Sequence, residues 1–382
     1  MRTALLLVGS IDQPGGMGMR WRALYEAMGG PAGCRLYEVV CDRTTICHDR
    51  CAVSGAAHRR PGHRGSYFDR PFCRGWLDRL VGRIAADGVT TVVCSGLNTY
   101  RYVTGLAGRT GTRLVYDMHN AELPLHRSIN AAMLAGAAGT VQYGPMPLDL
   151  VEFAERAALT AADEIWTCSD RDLADIAELY PTAAATPTRV VPNVVTVPAP
   201  PHPDGPAPAP RRVVFTGRMD YYPNLVAARA VVDDLAPALL AAGRTVPVVV
   251  CGAVLDEWIP ADGLPPTVRL VSDPPSTAPL VTGGVLVVPL TLGGGSRLKI
   301  LEGFALRAPV VSTAKGVEGL DVTPGVHYLP AETPAGFADA VGRVLDDEDL
   351  RTRLVESAAH LVRDRYSMPA LRACLHGYSP DC

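Results

Sequence analysis

The stretch GVLVVPLTLGGGSRLKILEGFALRAPVVST, residues Gly284 to Thr313, decides the fold. It opens on a short apolar run rich in β-branched residues, GVLVVPL, which has the length and content of a buried strand. A glycine-rich loop follows, and then RLKILEGFAL, of helical length and apolar on nearly every side, with Ser296 as its candidate N-cap. A second apolar run, APVVST, closes the unit. Strand, loop, helix and strand in that order make a βαβ unit, and near-continuous apolar strands fit a parallel sheet covered on both faces.

The same rhythm runs outward in both directions. The first half offers TALLLVG, RLYEVVC, TTVVCSG, RLVYDMHN and EIWTCS, with helical patterns between them. The second half offers RVVFTGR, PVVVCG, TVRLVS, GVLVVPL and APVVST. Between the halves lies VPNVVTVPAPPHPDGPAPAPRR, whose proline density and lack of apolar periodicity mark a linker. The expectation is therefore an α/β chain of two doubly wound, Rossmann-like parallel-sheet domains facing across a cleft. They span residues 1–196 and 212–366, joined by a linker at 197–211, with a closing helix at 367–382 packed back on the first domain. Ligands of open parallel sheets bind beyond the carboxyl ends of the strands, so polar residues that follow strands are the candidates for function.

Composition narrows the classes. A chain of 382 residues with 48% hydrophobic and 20% charged residues reads as an ordinary globular protein of two or three domains. A net charge of −3 argues against a nucleic-acid partner. No apolar run reaches the length of a membrane span, and the start MRTALLLVGSIDQPGG lacks a small-x-small cleavage site. It reads as a buried first strand, in a chain expected in the cytoplasm. Cys41, Cys47, His48 and Cys51, with His58, His63 and Cys73 nearby, form a cluster without a CxxC pair, so no metal site is assigned. The segment HRRPGHR in the same region reads as a solvated run of charge.

Of the 36 lysines and arginines, only Lys299 and Lys315 are lysine. A lysine retained in an arginine-rich chain points to a need for a compact cation rather than a planar fork. Gly293, Gly294 and Gly295 let backbone amides approach a ligand, and the helix N-terminus that follows carries about half a positive charge. Together they describe a phosphate cradle. Lys299 and Glu302 stand three apart on one helix face, where an anion would favour the lysine and a carboxylate could accept from ribose hydroxyls. In FTGRMDYYPN, Gly217 permits a tight turn after a strand, Arg218 emerges at the strand end to grip phosphate oxygens, and a helix starts at about Pro223.

These residues together resemble the retaining glycosyltransferases of the GT-B fold, family 4 (glycosyl transferases group 1). The likeness runs through FTGRMDYYPN and VVPLTLGGGSRLKILEGFALRAPVVSTAKGVEGL in the second half. In the first half it runs through PGGMGMRWRALYEAM, VYDMHNAE, AADEIWTCSDRDLADIAELYP and VVPNVV. The resemblance implies a first domain for the acceptor and a second for a nucleoside diphosphate sugar, with no cofactor and no metal. It implies that Arg218 contacts the diphosphate and Glu302 the ribose. Gly293 to Ser296 would lie beside sugar and phosphates, and Gly15 and Gly16 would bring backbone to the donor phosphate. His119 would stand near the reacting face of the sugar, with Asp117 on the opposite side if the strand alternates.

Two departures from the family pattern matter. Gly294 stands where a glutamate is common, and Asn224 where a lysine is common. The displaced cation is assigned to Lys299, with Arg297 beside it. The acceptor is open: a soluble small molecule is favoured, and a lipid-linked sugar or a polysaccharide remain alternatives. So do two other readings of the chain. One is a nicotinamide-dependent oxidoreductase, through the partial fingerprint Gly16-x-Gly18 with Trp21 in place of its third glycine; the other is a non-catalytic glycosyltransferase-like partner protein.

Overall fold

A computed structural model describes residues 2–39, 72, 74–136, 145–198, 212–253, 263–295 and 297–376. The cysteine and histidine cluster, Ser296 and the linker residues 199–211 lie outside the described residues.

The chain divides into two compact units. The first comprises Met1–Arg127, Pro145–Pro192 and Leu371–Cys382, and the second Ser128–Gly144 and Asn193–Ala370. Each is built on one six-stranded sheet in which all pairs are parallel.

In the first unit the strands are β1 (Thr3–Leu7), β2 (Cys34–Glu38), β3 (Thr91–Ser95), β4 (Arg113–Asp117), β5 (Glu164–Thr167) and β6 (Thr188–Val190), in the order β2-β1-β3-β4-β5-β6. In the second they are β7 (Val213–Thr216), β8 (Val248–Gly252), β9 (Val268–Ser272), β10 (Val285–Val288), β11 (Val310–Ser312) and β12 (Leu329–Pro330), in the order β12-β11-β10-β7-β8-β9. The ten apolar runs read from sequence are ten of these strands. The other two, β6 and β12, are edge strands of three and two residues, too short to carry a periodicity. The sheets are the two-domain doubly wound architecture expected from the alternation of strands and helices.

Burial follows from that architecture. Ala4 to Leu7, Val92 to Cys94, Val213 to Phe215 and Val285 to Val288 are all essentially inaccessible, because helices cover both faces of each sheet. The proline-dense stretch begins as packed chain rather than as linker. Val191, Val194 and Val195 are buried, and Val195 N–H donates to the Tyr366 carbonyl at 2.9 Å.

Strand order places the functional loops. Each sheet reverses direction between two central neighbours, β1 and β3 in the first and β7 and β10 in the second. At such switch points the loops after the two strands diverge and open a crevice beyond their carboxyl ends. The segments that fall there are those after β1 and β3, and, in the second unit, Gly217–Asp220 and the glycine-rich loop before Arg297.

Candidate functional site

Functional side chains collect at the carboxyl end of each sheet. In the second unit the helix Leu298–Ala305 begins one residue later than expected, and Arg297 (φ −85°, ψ 84°) is its N-cap. The Arg297 side chain does not cap this end, and the first turn holds no acid. Ile300 and Leu301 N–H both donate to the Arg297 carbonyl, whereas the N–H groups of Leu298 and Lys299 meet no acceptor among the described residues. Helix-start amides that meet no acceptor among the described residues are an anion-binding feature.

Gly293, at φ 116°, could not carry a side chain. Besides the backbone strain, an added Cβ would lie 2.9 Å from Arg297 Nη1. Arg297, only 7% exposed, turns its guanidinium onto the carbonyls of Gly294 and Lys315 and comes within 4.0 Å of Glu318. It therefore ties the glycine loop to the segment after β11. Its charge still acts on Lys299, whose ammonium it disfavours.

Lys299 reaches the other constellation. Its Nζ donates to Asn224 Oδ1 at 2.7 Å and sits 4.4 Å from the centroid of the Phe215 ring, the last aromatic of β7. Asn224 Nδ2 in turn donates to the Arg218 carbonyl at 3.0 Å, which orients the amide with its oxygen toward the ammonium. Gly217 makes this possible, since a Cβ there would lie 2.8 Å from Asn224 Cγ. Burial, reinforced by the Arg297 charge, pushes the Lys299 ammonium down to about 7, with Glu302 pulling the other way. Burial raises the Glu302 carboxyl, which Lys299 partly offsets, and that carboxyl makes no hydrogen bond among the described residues.

The helix Tyr222–Arg229 has Tyr222 ahead of Pro223, which thus takes its second position rather than its first. Arg218 pairs with Asp220 at 2.7 Å, and both side chains are substantially exposed, 39% and 29%. The Asp220 hydrogen bond raises the Arg218 guanidinium above its usual range.

The first unit holds a different kind of cluster. Arg20, on the helix Gly16–Ala27, grips Asp117 through Nε, at 3.1 and 3.0 Å, and through Nη2, and donates to the Val191 carbonyl at 3.0 Å. The pair is 2% and 0% exposed. Burial alone would raise the Asp117 carboxyl, but Arg20 and His119 hold it well below the carboxylate range. Ser95 and Asp117 are register partners across β3 and β4, and the Ser95 hydroxyl donates to Asp117 Oδ2 at 2.5 Å. His119 Nε2 lies 2.8 Å from the same hydroxyl and 3.6 Å from Asp117 Oδ2. Asp117 and His119 thus share one side. The expected separation is overturned by geometry: alternation of period two itself puts residues two apart on one face, and β4 ends at Asp117, with His119 just beyond it.

The chain after His119 is pinned by buried carboxylates. Ala121 N–H donates to Asp172 at 3.2 Å, and Glu122 N–H to Glu155 at 2.7 Å, where the Tyr180 hydroxyl also donates at 2.6 Å. Burial pushes Glu155 up to about 7. Gly15 (φ 91°) precedes the helix Gly16–Ala27, with Gly16 as its first residue. Gly18, the second glycine of the partial dinucleotide fingerprint, has a packing reason of its own: a Cβ there would lie 1.7 Å from the Gln13 carbonyl oxygen.

In the second unit the structure thus links Lys299, Asn224 and the Arg218 carbonyl beside Gly217, and ties Gly293 and Gly294 to Arg297. Gly15, Gly16 and His119 stand in the first. Sequence reading missed Arg20, Ser95 and Asp220. Arg20 left a trace, as a charge inside the helical pattern GMGMRWRAL; Ser95 and Asp220 left none. No group of three or more metal-binding side chains occurs among the described residues, and no described helix is long and apolar enough to cross a membrane.

Known proteins resemble this chain in sequence over part of its length and in fold over nearly all of it. Residues 210–347 match the family described as glycosyl transferases group 1. A stretch of 74 residues is 45% identical to an alpha-D-kanosaminyltransferase of Streptomyces kanamyceticus, covering 19% of this chain and 19% of the length of that protein. Over whole chains the sequence likeness is low and the structural likeness extensive. The sucrose-phosphate synthase of Thermosynechococcus elongatus superposes with a TM-score of 0.66 at 18% identity, covering 98% of this chain and 97% of the other. Anabaena HepE, solved in complex with UDP-glucose, does so with a TM-score of 0.63 at 14% identity, covering 99% of each chain. The second unit thus carries a glycosyl transferases group 1 domain, in a chain that has the GT-B fold along its whole length.

Proposed function

We propose that this protein is a retaining, family 4-like glycosyltransferase. It moves a sugar from a nucleoside diphosphate sugar to a soluble small-molecule acceptor, without a metal ion. The observation that carries the reading is the Lys299 ammonium resting 2.7 Å from Asn224 Oδ1. Position 224 is where the resemblance expects a lysine, so the cation missing there is delivered to the same place from the neighbouring helix. With the helix-start amides of Leu298 and Lys299, and Arg218 after β7, it makes a site for a diphosphate.

Such a site stabilises charge that builds on a departing diphosphate. The bond between the anomeric carbon and the phosphate oxygen breaks, the acceptor heteroatom bonds on the same face, and its proton passes to the departing oxygen. An α-linked donor then gives an α-product. His119 serves the sugar, and Glu302 the ribose. The two relatives named for sugar transfer and for UDP-glucose binding support a nucleotide-sugar donor. The described cysteines, Cys34, Cys94, Cys168, Cys251 and Cys374, are all free thiols, which suits a cytoplasmic location.

The test begins with a thermal-shift panel of nucleoside diphosphates and their sugars. The donor it identifies is then used for turnover with and without EDTA, and for proton NMR of the first-formed product. Stabilisation by a nucleoside diphosphate, activity in chelator and an α anomeric coupling are expected. A β-product from an α-donor would overturn retention, and loss of turnover restored by magnesium would overturn metal independence.

A further inference from the structure

The ring of His119 is held by more contacts than a surface histidine needs. Trp21 lies on one side, with ring centroids 6.3 Å apart. Gly96, at φ 88°, lies close by; even a methyl group there would come within 3.4 Å of His119 Cε1 and 3.7 Å of Nδ1. The side chain is 13% exposed, and its polar contacts are all made through Nε2. Nδ1 has no hydrogen-bond partner among the described residues.

The proton count around Nε2 is determined. Asp117 is gripped by buried Arg20 and is therefore an ionised, acceptor-only group. Ser95 has one hydroxyl hydrogen, and at 2.5 Å from Asp117 Oδ2 it must be spent on that carboxylate. The Ser95 oxygen then has only lone pairs to offer His119 Nε2 at 2.8 Å. A lone pair on Nε2 would face both this oxygen and Asp117 Oδ2, which is repulsive. The hydrogen of a neutral ring therefore belongs on Nε2.

We infer that Asp117, acting through the Ser95 hydroxyl, fixes His119 as its Nε2–H tautomer, so that the ring offers Nδ1 as a hydrogen-bond acceptor to a hydroxyl of the sugar. Ser95 and Asp117 are positioning residues in this scheme. The direction of the bond is a specificity element: a hydroxyl, which can donate, is accepted at that point, and a carbonyl or ether oxygen is not. The inference rests on the reading that His119 serves the sugar, but the tautomer itself can be measured without any substrate.

Nitrogen-15 NMR of ligand-free protein labelled at histidine tests it, with His119→Gln identifying the His119 signals. At a pH where the ring is neutral, a pyrrole-type Nε2 and a pyridine-type Nδ1 are expected in the wild type. A pyrrole-type Nδ1, or averaged signals, overturns the inference whatever the protein does. Asp117→Asn is expected to reverse the tautomer, because the new amide can donate to Ser95 and release its hydroxyl hydrogen to Nε2. Ser95→Ala leaves the Arg20–Asp117 pair intact and is expected to mix the tautomers. Turnover should fall about tenfold, the scale of one hydrogen bond lost from the transition state, with donor affinity changed by less than about threefold. Mixed tautomers with unchanged turnover would overturn the use of Nδ1 and the role of His119, while leaving the proton assignment intact.

Discussion

The two polar clusters of this chain solve opposite problems. Around Asp117 every charge is compensated inside the protein: Arg20, Ser95 and His119 all face one carboxylate, and the ion pair has no access to water. Around Lys299 compensation among the described residues is incomplete: an ammonium held by a neutral amide, a carboxylate without a hydrogen bond, two helix amides without acceptors and a half-exposed Arg218–Asp220 pair. A closed network fixes geometry, at the cost that removing one charge leaves its partner buried and unpaired. An open one leaves interaction energy for a ligand to collect.

The largest effect should separate the clusters by stability. Arg20→Ala leaves Asp117 buried without its cation and is expected to cost about 3–5 kcal/mol. Arg218→Ala, which breaks a solvent-screened pair, should change stability by less than about 1 kcal/mol. Urea unfolding measures both, and equal losses would erase the distinction. In a nucleotide-binding assay the order should reverse. Arg218→Ala and Lys299→Ala are each expected to weaken nucleoside diphosphate binding by more than about 1.5 kcal/mol, the scale of charge-assisted hydrogen bonds. Wild-type affinity in Lys299→Ala would remove the relocation of charge.

Lys299 also makes a signed prediction about pH. Its folded pKa, about 7, lies below the ordinary lysine value of 10.5. Between these two values the unfolded chain binds the extra proton, so this group makes stability rise with pH across that window. Below about 7 the full cost of the buried charge is present. An anion reverses the preference, since it favours the ammonium. Nucleoside diphosphate affinity should therefore fall as pH climbs above 7, with proton uptake on binding, and Lys299→Met should abolish both trends. Calorimetry in buffers of different ionisation enthalpy reads the uptake; no uptake at pH 8 would contradict the assignment.

A smaller effect is expected at Glu302. A ribose hydroxyl loses about 1 kcal/mol when its carboxylate acceptor becomes a neutral amide. Glu302→Gln should thus discriminate less between ribose and 2′-deoxyribose diphosphates than wild type does. Unchanged discrimination would take the ribose away from this residue.

How much of this was legible in the sequence follows from the range of the interactions. The strands and the glycine loop are local features, and their apolar runs and turn residues report them directly. The Lys299–Glu302 face is equally local, set by helix periodicity. What the sequence did not reveal is long-range. Ser95 meets Asp117 only because β3 and β4 pair in one register, and Arg20 reaches Asp117 from 97 positions away. Arg297 reads from sequence as a second cation for the ligand, yet its guanidinium is turned by Gly293 and Gly294 onto backbone carbonyls. Residue type and spacing announce which groups are unusual. Which of them are already satisfied by partners depends on packing.

The finest test of the open cluster is an exchange that should change almost nothing. If the site needs one compact cation at the place where Lys299 meets Asn224, the helix from which it comes is immaterial. Lys299→Met keeps the length of the side chain and its contact with the Phe215 ring while removing the charge, and should lose the affinity that Lys299→Ala loses. Adding Asn224→Lys to that background returns a cation from the neighbouring helix, with Gly217 leaving the room that the present amide already uses. Its removal of the amide does cost the Arg218 carbonyl a hydrogen-bond partner, a loss of about 1 kcal/mol that falls on folding rather than on binding. The double variant is therefore expected to regain most of the affinity that Lys299→Met loses, to within about 1 kcal/mol of wild type, the two positions being in contact and so coupled rather than additive. Failure of Asn224→Lys to restore binding, in a double variant that remains folded by circular dichroism, would mean that Lys299 acts through its own helix and not as a displaced charge.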